Sequence, residues 1–183
     1  MATLPLYGEE YTSYKIYQTE KDETLQKIAS SPQIYNDPLK WPLIYYLNRA
    51  ELKKVKTSPE FLPVSPLPPN TLLAILLPVE AEKRLNRINK DNKKCWVINI
   101  ISSKRKEKVN AFTMRIIDEG YFTYITESKV KEKKVWRVRV GLFKDRKTAD
   151  LHAKKIADLL KLSDFWVVKA TNNEVNEYLG FCK

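Results

Sequence analysis

Two arginines on one side of a predicted strand are the side chains in this sequence best suited to hold a polar ligand. The stretch VWRVRV at 135–140 alternates strictly, which places large apolar side chains on one face and Arg137 and Arg139 on the other. The apolar face marks the core, so the arginines are predicted to point outwards. A planar guanidinium suits hydroxyl, acetyl and carboxylate oxygens. The alternative is that both arginines are ordinary solvated residues of a sheet.

The elements that would position these arginines form a β-α-β-β-α-β order. Strands are predicted over 96–101, 121–126, 135–140 and 165–169, with a charged hairpin loop over 128–134 and Gly141 as the end of the third strand. One helix is predicted over 104–120, and a second follows a polar turn at 144–146, with the apolar stripe Ala149, Ala153, Ile156 and Leu160. This is the split βαβ pattern of ferredoxin-like folds, with both helices on one sheet face and the other face bare. If the first and third strands are central, Asn99 shares the outward face with Arg137 and Arg139. Phe122 or Tyr124 would then offer an aromatic ring from the second strand.

Charge divides the chain into two unequal halves. Residues 1–80 contain eight Lys and Arg against nine Asp and Glu, a net charge of −1, whereas residues 81–183 contain 25 against 13, a net charge of +12. These values agree with the total of +11. A basic half joined to a neutral half suggests two modules, of which only the basic one binds a polyanion. A merely solubilising surface is the alternative.

The first half follows the order strand, helix, helix, strand. A strand is predicted around 14–17, a short helix over 24–29, a second helix that opens at Trp41-Pro42, and an apolar strand over 72–77. Trp41 precedes the apolar residues on which it would pack, so it is predicted to lie in the core. The polar segment EAEKRLNRINKDNKK over 80–94 is predicted as a charged linker, with an exposed helix or a flexible tether left open.

Three stretches of the first half resemble the LysM domain. They are YKIYQTEKDETLQKIA at 14–29, WPLIYYLN at 41–48 and LPPNTLLAI at 67–75. LysM domains hold N-acetylglucosamine chains, and the resemblance implies a groove at five residues: Asp22, Glu23, Thr24, Leu25 and Leu52. Read from the residues alone, Asp22 and Thr24 equally suit the cap of a helix.

The second half resembles the SPOR (sporulation-related repeat) domain. The matching features are a first strand that ends at Ser102, Glu-Gly-Tyr at 119–121, and WRVRVGLFKDRKTADLHAKKI at 136–156. SPOR domains bind peptidoglycan on the bare sheet face and prefer glycan strands stripped of stem peptides. Together with the outward residues of the neighbouring strands, the resemblance implies a glycan site at five residues: Asn99, Ser102, Tyr124, Arg137 and Arg139.

The fold class predicted is therefore α+β with two small domains. A βααβ LysM-like module is placed at 13–79, the linker at 80–94, a ferredoxin-like βαββαβ SPOR-like module at 95–170, and a tail at 171–183. Whether the tail forms a short helix that covers the sheet face is left open. The resemblance implies a non-catalytic cell-envelope or periplasmic protein whose partners are peptidoglycan glycan strands and other envelope proteins. No export signal, membrane anchor or transmembrane segment is visible in this chain.

Other classes of function compete with glycan binding, and a protein-interaction module is one alternative that stays open. A basic β-α-β-β-α-β module also describes RNA-binding domains, but WRVRVGLF lacks the paired aromatics that stack bases, so only non-specific nucleic-acid binding is expected. Catalysis is not expected, because the one histidine, His152, has no nucleophile or metal pattern around it. No cofactor and no metal are predicted. Cys95 and Cys182 fit no zinc spacing, and a disulfide between them or two thiols both remain open.

Overall fold

Two antiparallel sheets organise this mixed α+β chain, one of two strands and one of four. The computed structural model describes residues 14–88 and 94–182. The sequence predictions that fall on residue 13 and on residues 89–93 lie outside this range. Buried residues of both halves belong to one continuous hydrophobic core.

The first half folds as strand, helices and strand. Its elements, in order, are β1 (Lys15–Gln18), α1 (Leu25–Ser30), α2 (Trp41–Leu47), α3 (Arg49–Leu52) and β2 (Leu72–Ile75). β1 pairs with β2, and α1 and α2 pack together beside them. Trp41 is fully buried, which confirms its prediction as a core residue. The Asn48 side chain follows α2 and exchanges two hydrogen bonds with the Ala74 backbone of β2, which fixes the helix against the strand.

The second half has the predicted β-α-β-β-α-β order. Its elements are β3 (Trp96–Ser103), α5 (Lys106–Asp118), β4 (Thr123–Val130), β5 (Lys133–Phe143), α6 (Arg146–Leu160) and β6 (Trp166–Lys169). The sheet order is β4-β5-β3-β6, so the first and third strands of this half are central, as predicted. Both helices lie on the face that carries Val138 and Val140, and small residues such as Ala149 and Ala153 let α6 approach closely.

The hairpin between β4 and β5 is tighter than the sequence predicts. We expected a charged loop over 128–134, but only Lys131 and Glu132 leave the ladder, and both have positive φ, as the tightest hairpin turns require. β5 also continues past Gly141, which was expected to end it. Gly141 has φ +79°, and a register shift there makes it part of a bulge within the strand rather than its end.

The two halves are joined by polar contacts as well as by the shared core. Tyr45 of α2 donates a hydrogen bond from its hydroxyl to Asp118 Oδ1 at 2.9 Å. Arg49 donates to the carbonyl oxygen of Ile117 at 2.8 Å, so a cation from the first half caps the carboxyl end of α5. The Tyr46 ring of α2 also packs edge-to-face on the Phe122 ring, with ring centroids 5.7 Å apart. These contacts fix how the halves sit on each other.

One helix lies in the segment between the two halves and another lies in the tail, and both helices pack against the rest of the structure. α4 (Pro78–Arg87) occupies much of the predicted linker and buries Ala81 and Leu85. α7 (Asn172–Tyr178) and the 3-10 turn Leu179–Phe181 form the tail, and the turn lies against α4. The tail therefore belongs to the packed structure, and it closes over part of the sheet face that was expected to be bare.

Cys95 and Cys182 are not joined by a disulfide in this structure, and both are thiols. Burial raises the pKa of the Cys95 thiol. Burial, followed by the neighbouring Cys95, raises the pKa of Cys182 to about 12. Both thiols are thus protonated at neutral pH and poorly nucleophilic. Among the described residues, no helix combines the length and apolar composition that a bilayer-spanning segment needs.

Candidate functional site

A bulge in β3 decides which side chains share the outward face of the large sheet. Asn99 pairs with Arg139 and Ser102 pairs with Arg137, so between these pairs two residues of β3 stand opposite the single residue Val138 of β5. Ile100 is the extra residue, and without it Ser102 would point towards the helices. The bulge therefore brings Asn99 and Ser102 to the same face as both arginines, as the sequence predictions require.

The residues at this face form two rows that cross the strands. We call Tyr124, Arg139 and Asn99 the covered row, because these three paired positions share the outward face and α7 contacts two of them, Tyr124 and Arg139. Asn99 and Tyr124 are each only 1% exposed, and the Arg139 side chain is 11% exposed. Three of the five predicted glycan-site residues are thus brought together, but they are brought together in the interior.

Glu174 of α7 is the group that covers this row. Its Oε1 accepts a hydrogen bond from the Tyr124 hydroxyl at 3.1 Å and lies 3.1 Å from Arg139 Nε. Its Oε2 accepts hydrogen bonds from the backbone N–H and the hydroxyl of Thr171, which caps the helix. The contact with Arg139 is an ion pair without the angle of a hydrogen bond, and Arg139 Nε, Arg139 Nη1 and Asn99 Oδ1 are buried without hydrogen-bond partners. The covered row is therefore charge-balanced but incompletely hydrogen-bonded.

Aromatic stacking closes the β4 end of the covered row. The Tyr178 ring of α7 stacks on the Tyr124 ring with centroids 4.2 Å apart. Burial raises the pKa of Tyr124 far above its ordinary value, the Glu174 charge raises it further, and Arg139 lowers it. Tyr124 consequently keeps its proton and acts as a hydrogen-bond donor at any physiological pH.

The second row remains accessible. We call Thr126, Arg137 and Ser102 the open row, since these paired positions lie one step further from α7. Arg137 Nε donates to Ser102 Oγ at 3.2 Å, which orients the guanidinium along the face. Thr126 is half-buried, and its hydroxyl oxygen is buried without a hydrogen-bond partner, so Arg137 and Ser102 are the members of the row that solvent reaches. Trp166 of β6 pairs with Asn99 and is 43% exposed, so an exposed aromatic ring ends the covered row at β6.

The five residues predicted to form the sugar groove of the first half differ in how far they are exposed to solvent. Leu25 and Leu52 lie in the core, with at most 1% of either exposed. The Glu23 carboxylate accepts hydrogen bonds from the Tyr17 hydroxyl and the Glu20 backbone N–H, and the residue is 9% exposed. Thr24 caps α1 by accepting from Lys27 N at 3.1 Å, as the capping alternative predicts. Asp22, which is exposed, and Thr24, which is half-exposed, are the two that solvent reaches.

Three residues of the face were not among the predicted site residues. Thr126 and Trp166 have the outward parity of their strands, which an alternation pattern could have shown once the strand order was known. Glu174 carries no such signal, because a glutamate in a polar tail is normally solvent-exposed. His152 packs between the Tyr121 and Phe143 rings, and the described residues contain no cluster of three His, Cys, Asp or Glu that suits a metal ion.

Comparison with known proteins gives one finding. Residues 92–169 match the model of the SPOR domain, which spans β3 to β6 and therefore both rows. No curated protein and no solved structure matches the chain. The match does not extend to the first half or to the tail. The comparison thus finds a SPOR domain at residues 92–169.

Proposed function

We propose that this protein is a non-catalytic cell-wall binding protein that holds peptidoglycan glycan strands on the outward face of its SPOR domain. SPOR domains are generally peptidoglycan-binding modules of cell-envelope proteins. The observation that carries the proposal is the Arg137–Ser102 pair, which presents an oriented guanidinium on the accessible part of that face. The open row is therefore the proposed point of contact with the glycan.

The open row offers the groups that a glycan strand needs. Arg137 supplies N–H donors for acetyl, hydroxyl and lactyl carboxylate oxygens, and the contact with Ser102 limits its rotation. Ser102 adds an exposed hydroxyl beside it. On the same face, Trp166 at the end of the neighbouring row adds an exposed ring against which the apolar face of a sugar can pack. Polar groups and an aromatic surface on one sheet face are typical of a carbohydrate site.

Non-specific binding to polyanions is the competing explanation for affinity of the second half. Residues 81–183 carry a net charge of +12, and binding that depends on charge alone weakens steeply as salt is raised. Binding through Arg137, Ser102 and Trp166 depends on local hydrogen bonds and packing, so it should persist at high salt. Salt dependence therefore separates the two explanations.

Replacing Arg137 by alanine is expected to weaken binding to amidase-treated sacculi about tenfold or more, because a charge-assisted hydrogen bond is lost. The measurement is co-sedimentation of the full chain with purified sacculi, intact and amidase-treated, at low and at high salt. Arg115→Ala is the matched control: it removes the same charge from the exposed side of α5 and should bind as the wild type does. Equal losses in both variants, or binding that vanishes at high salt, would contradict the proposal.

Binding of N-acetylglucosamine by the first half is the lesser part of the proposal. Its support is the exposed position of Asp22 on the loop before α1, next to Thr24. A sugar at this loop would contact these two side chains, since Leu25 and Leu52 are core residues. In co-sedimentation with an insoluble N-acetylglucosamine polymer, Asp22→Ala is expected to reduce the retention of the chain, without changing the effect of Arg137→Ala on binding to sacculi. Unchanged retention would remove the first half from the glycan site.

A further inference from the structure

The covered row has the composition of a binding site and yet is closed by the protein's own carboxylate. Arg139 and Tyr124 converge on Glu174 Oε1, each at 3.1 Å, as they would converge on the carboxylate of a bound ligand. Asn99 lies next to Arg139 in the same row. The covered row lies beside the open row, two residues along β4 and β5 on the same face. A ligand that extends from the open row along these strands would therefore contact the covered row.

The hydrogen bonds of this row are not completed by α7. Arg139 Nη1 and Asn99 Oδ1 are buried without partners, and such groups destabilise the state that buries them. Both atoms belong to side chains at paired positions of the outward face, and Glu174 of α7 lies against one of them, Arg139. A ligand with a carboxylate and neighbouring hydroxyl or amide groups could satisfy the arginine and the asparagine together, which Glu174 does not.

α7 has the features of a segment that can leave the sheet. It has seven residues, fewer than a helix needs to be stable by itself, and it buries only Glu174, Val175 and Tyr178. On its other side lies a cleft of about 470 Å³ between the tail and α4, lined in part by Asn176 and Glu177. The ends of the segment are fixed elsewhere: Ala170 N donates to the Cys95 carbonyl at 2.8 Å, and the Phe181 ring packs on Tyr35.

We propose that residues 172–178 are a strap in which Glu174 takes the place of a ligand carboxylate on a subsite made by Arg139, Tyr124 and Asn99. This inference rests on the glycan binding proposed above. When a glycan strand bearing lactyl carboxylates occupies the open row, its neighbouring sugar displaces Glu174 and pairs with Arg139. Removal of stem peptides uncovers these carboxylates, so the subsite favours stripped strands. Because the subsite binds only when the strap is open, the apparent affinity is the affinity of the open state multiplied by the fraction of molecules that are open.

Glu174→Gln tests the strap, because it removes the charge that pairs with Arg139 and keeps a side chain of the same shape. We expect the affinity of the full chain for amidase-treated glycan strands to rise about tenfold at high salt. The affinity for N-acetylglucosamine oligomers, which have no carboxylate, should not change. Glu177→Gln is the matched control: it removes the same charge from the same helix, but Glu177 pairs with Lys40 at 2.8 Å instead of the sheet. This control should bind as the wild type does.

Amide hydrogen exchange on the unmodified chain provides a second test that needs no variant. Exchange of residues 172–178 should become faster when stripped glycan strands are added, since bound ligand holds the strap open. If sedimentation depends on Arg137 while exchange in α7 and the affinity of Glu174→Gln stay unchanged, the strap is overturned and the proposed function stands. If no form of the chain binds sacculi at high salt, both are overturned.

Discussion

Trp41→Ala should destabilise the protein by about 3–5 kcal/mol, the range found when a large buried aromatic is truncated. Trp41 is fully buried in α2 and packs edge-to-face on Tyr45, with ring centroids 6.3 Å apart. The measurement is the free energy of unfolding in denaturant. Because a domain of this kind has only about 5–15 kcal/mol of stability, the variant should unfold at a much lower denaturant concentration.

This variant also reports whether the two halves unfold together. The chain has four tryptophans, and the three that remain, Trp96, Trp136 and Trp166, all lie in the second half. Since the core is continuous across both halves, the fluorescence of these three should change at the lowered midpoint. Leu72→Ala, at a β2 position that is 60% exposed, should leave the midpoint almost unchanged. A second-half transition at the wild-type midpoint in Trp41→Ala would show two independently folding units.

Gly180→Ala should cost about 1–3 kcal/mol and loosen the tail, because overpacking at this site cannot be relieved by a rotamer change. A Cβ at Gly180 would lie 2.0 Å from the carbonyl oxygen and 2.6 Å from the carbonyl carbon of Ala81. Both are backbone atoms of α4, so the 3-10 turn and the helix must separate. The readouts are the melting temperature and amide exchange across residues 172–181.

Asn176→Ala is the control for this prediction. Asn176 is exposed on α7, so its replacement should change stability by less than about 0.5 kcal/mol. Faster exchange in the tail of Gly180→Ala, with exchange in β3 and β5 preserved, would show that the tail depends on its contact with α4. A melting temperature equal to that of the wild type would mean that the close approach to Ala81 does not exist in solution.

The sequence predicted the architecture of the second half well because its signals are local. The alternation in β5 and the apolar stripe of α6 each follow from the spacing of neighbouring residues, and they gave the strand, the helix and the outward position of Arg137. The strand order then placed Arg137 beside Ser102, as the site prediction required. The two-residue turn at Lys131–Glu132 was missed because neither residue is one of the usual types with positive φ.

The cover over Asn99, Tyr124 and Arg139 could not be predicted from residue spacing. The tail carries few apolar anchors, and nothing in a single sequence says which surface Val175 and Tyr178 will meet. Glu174 is buried only because Arg139 and Tyr124 are there to receive it, and this pairing joins positions that are distant in the chain. The same reason applies to α4, where the burial of Ala81 depends on the approach of Gly180. Such features depend on tertiary contacts rather than on local patterns.

The contact between Tyr35 and Phe181 has a consequence for the order of folding during synthesis. It joins the turn after α1 to the 3-10 turn of the tail, so it cannot form until the chain through Phe181 has left the ribosome. Closing so large a loop is entropically costly, and its contacts should be made late. Until then the newly made sheet exposes Asn99, Tyr124 and Arg139 to its surroundings. The nascent protein would therefore pass through a stage in which its polar face is exposed, before the tail folds over part of that face.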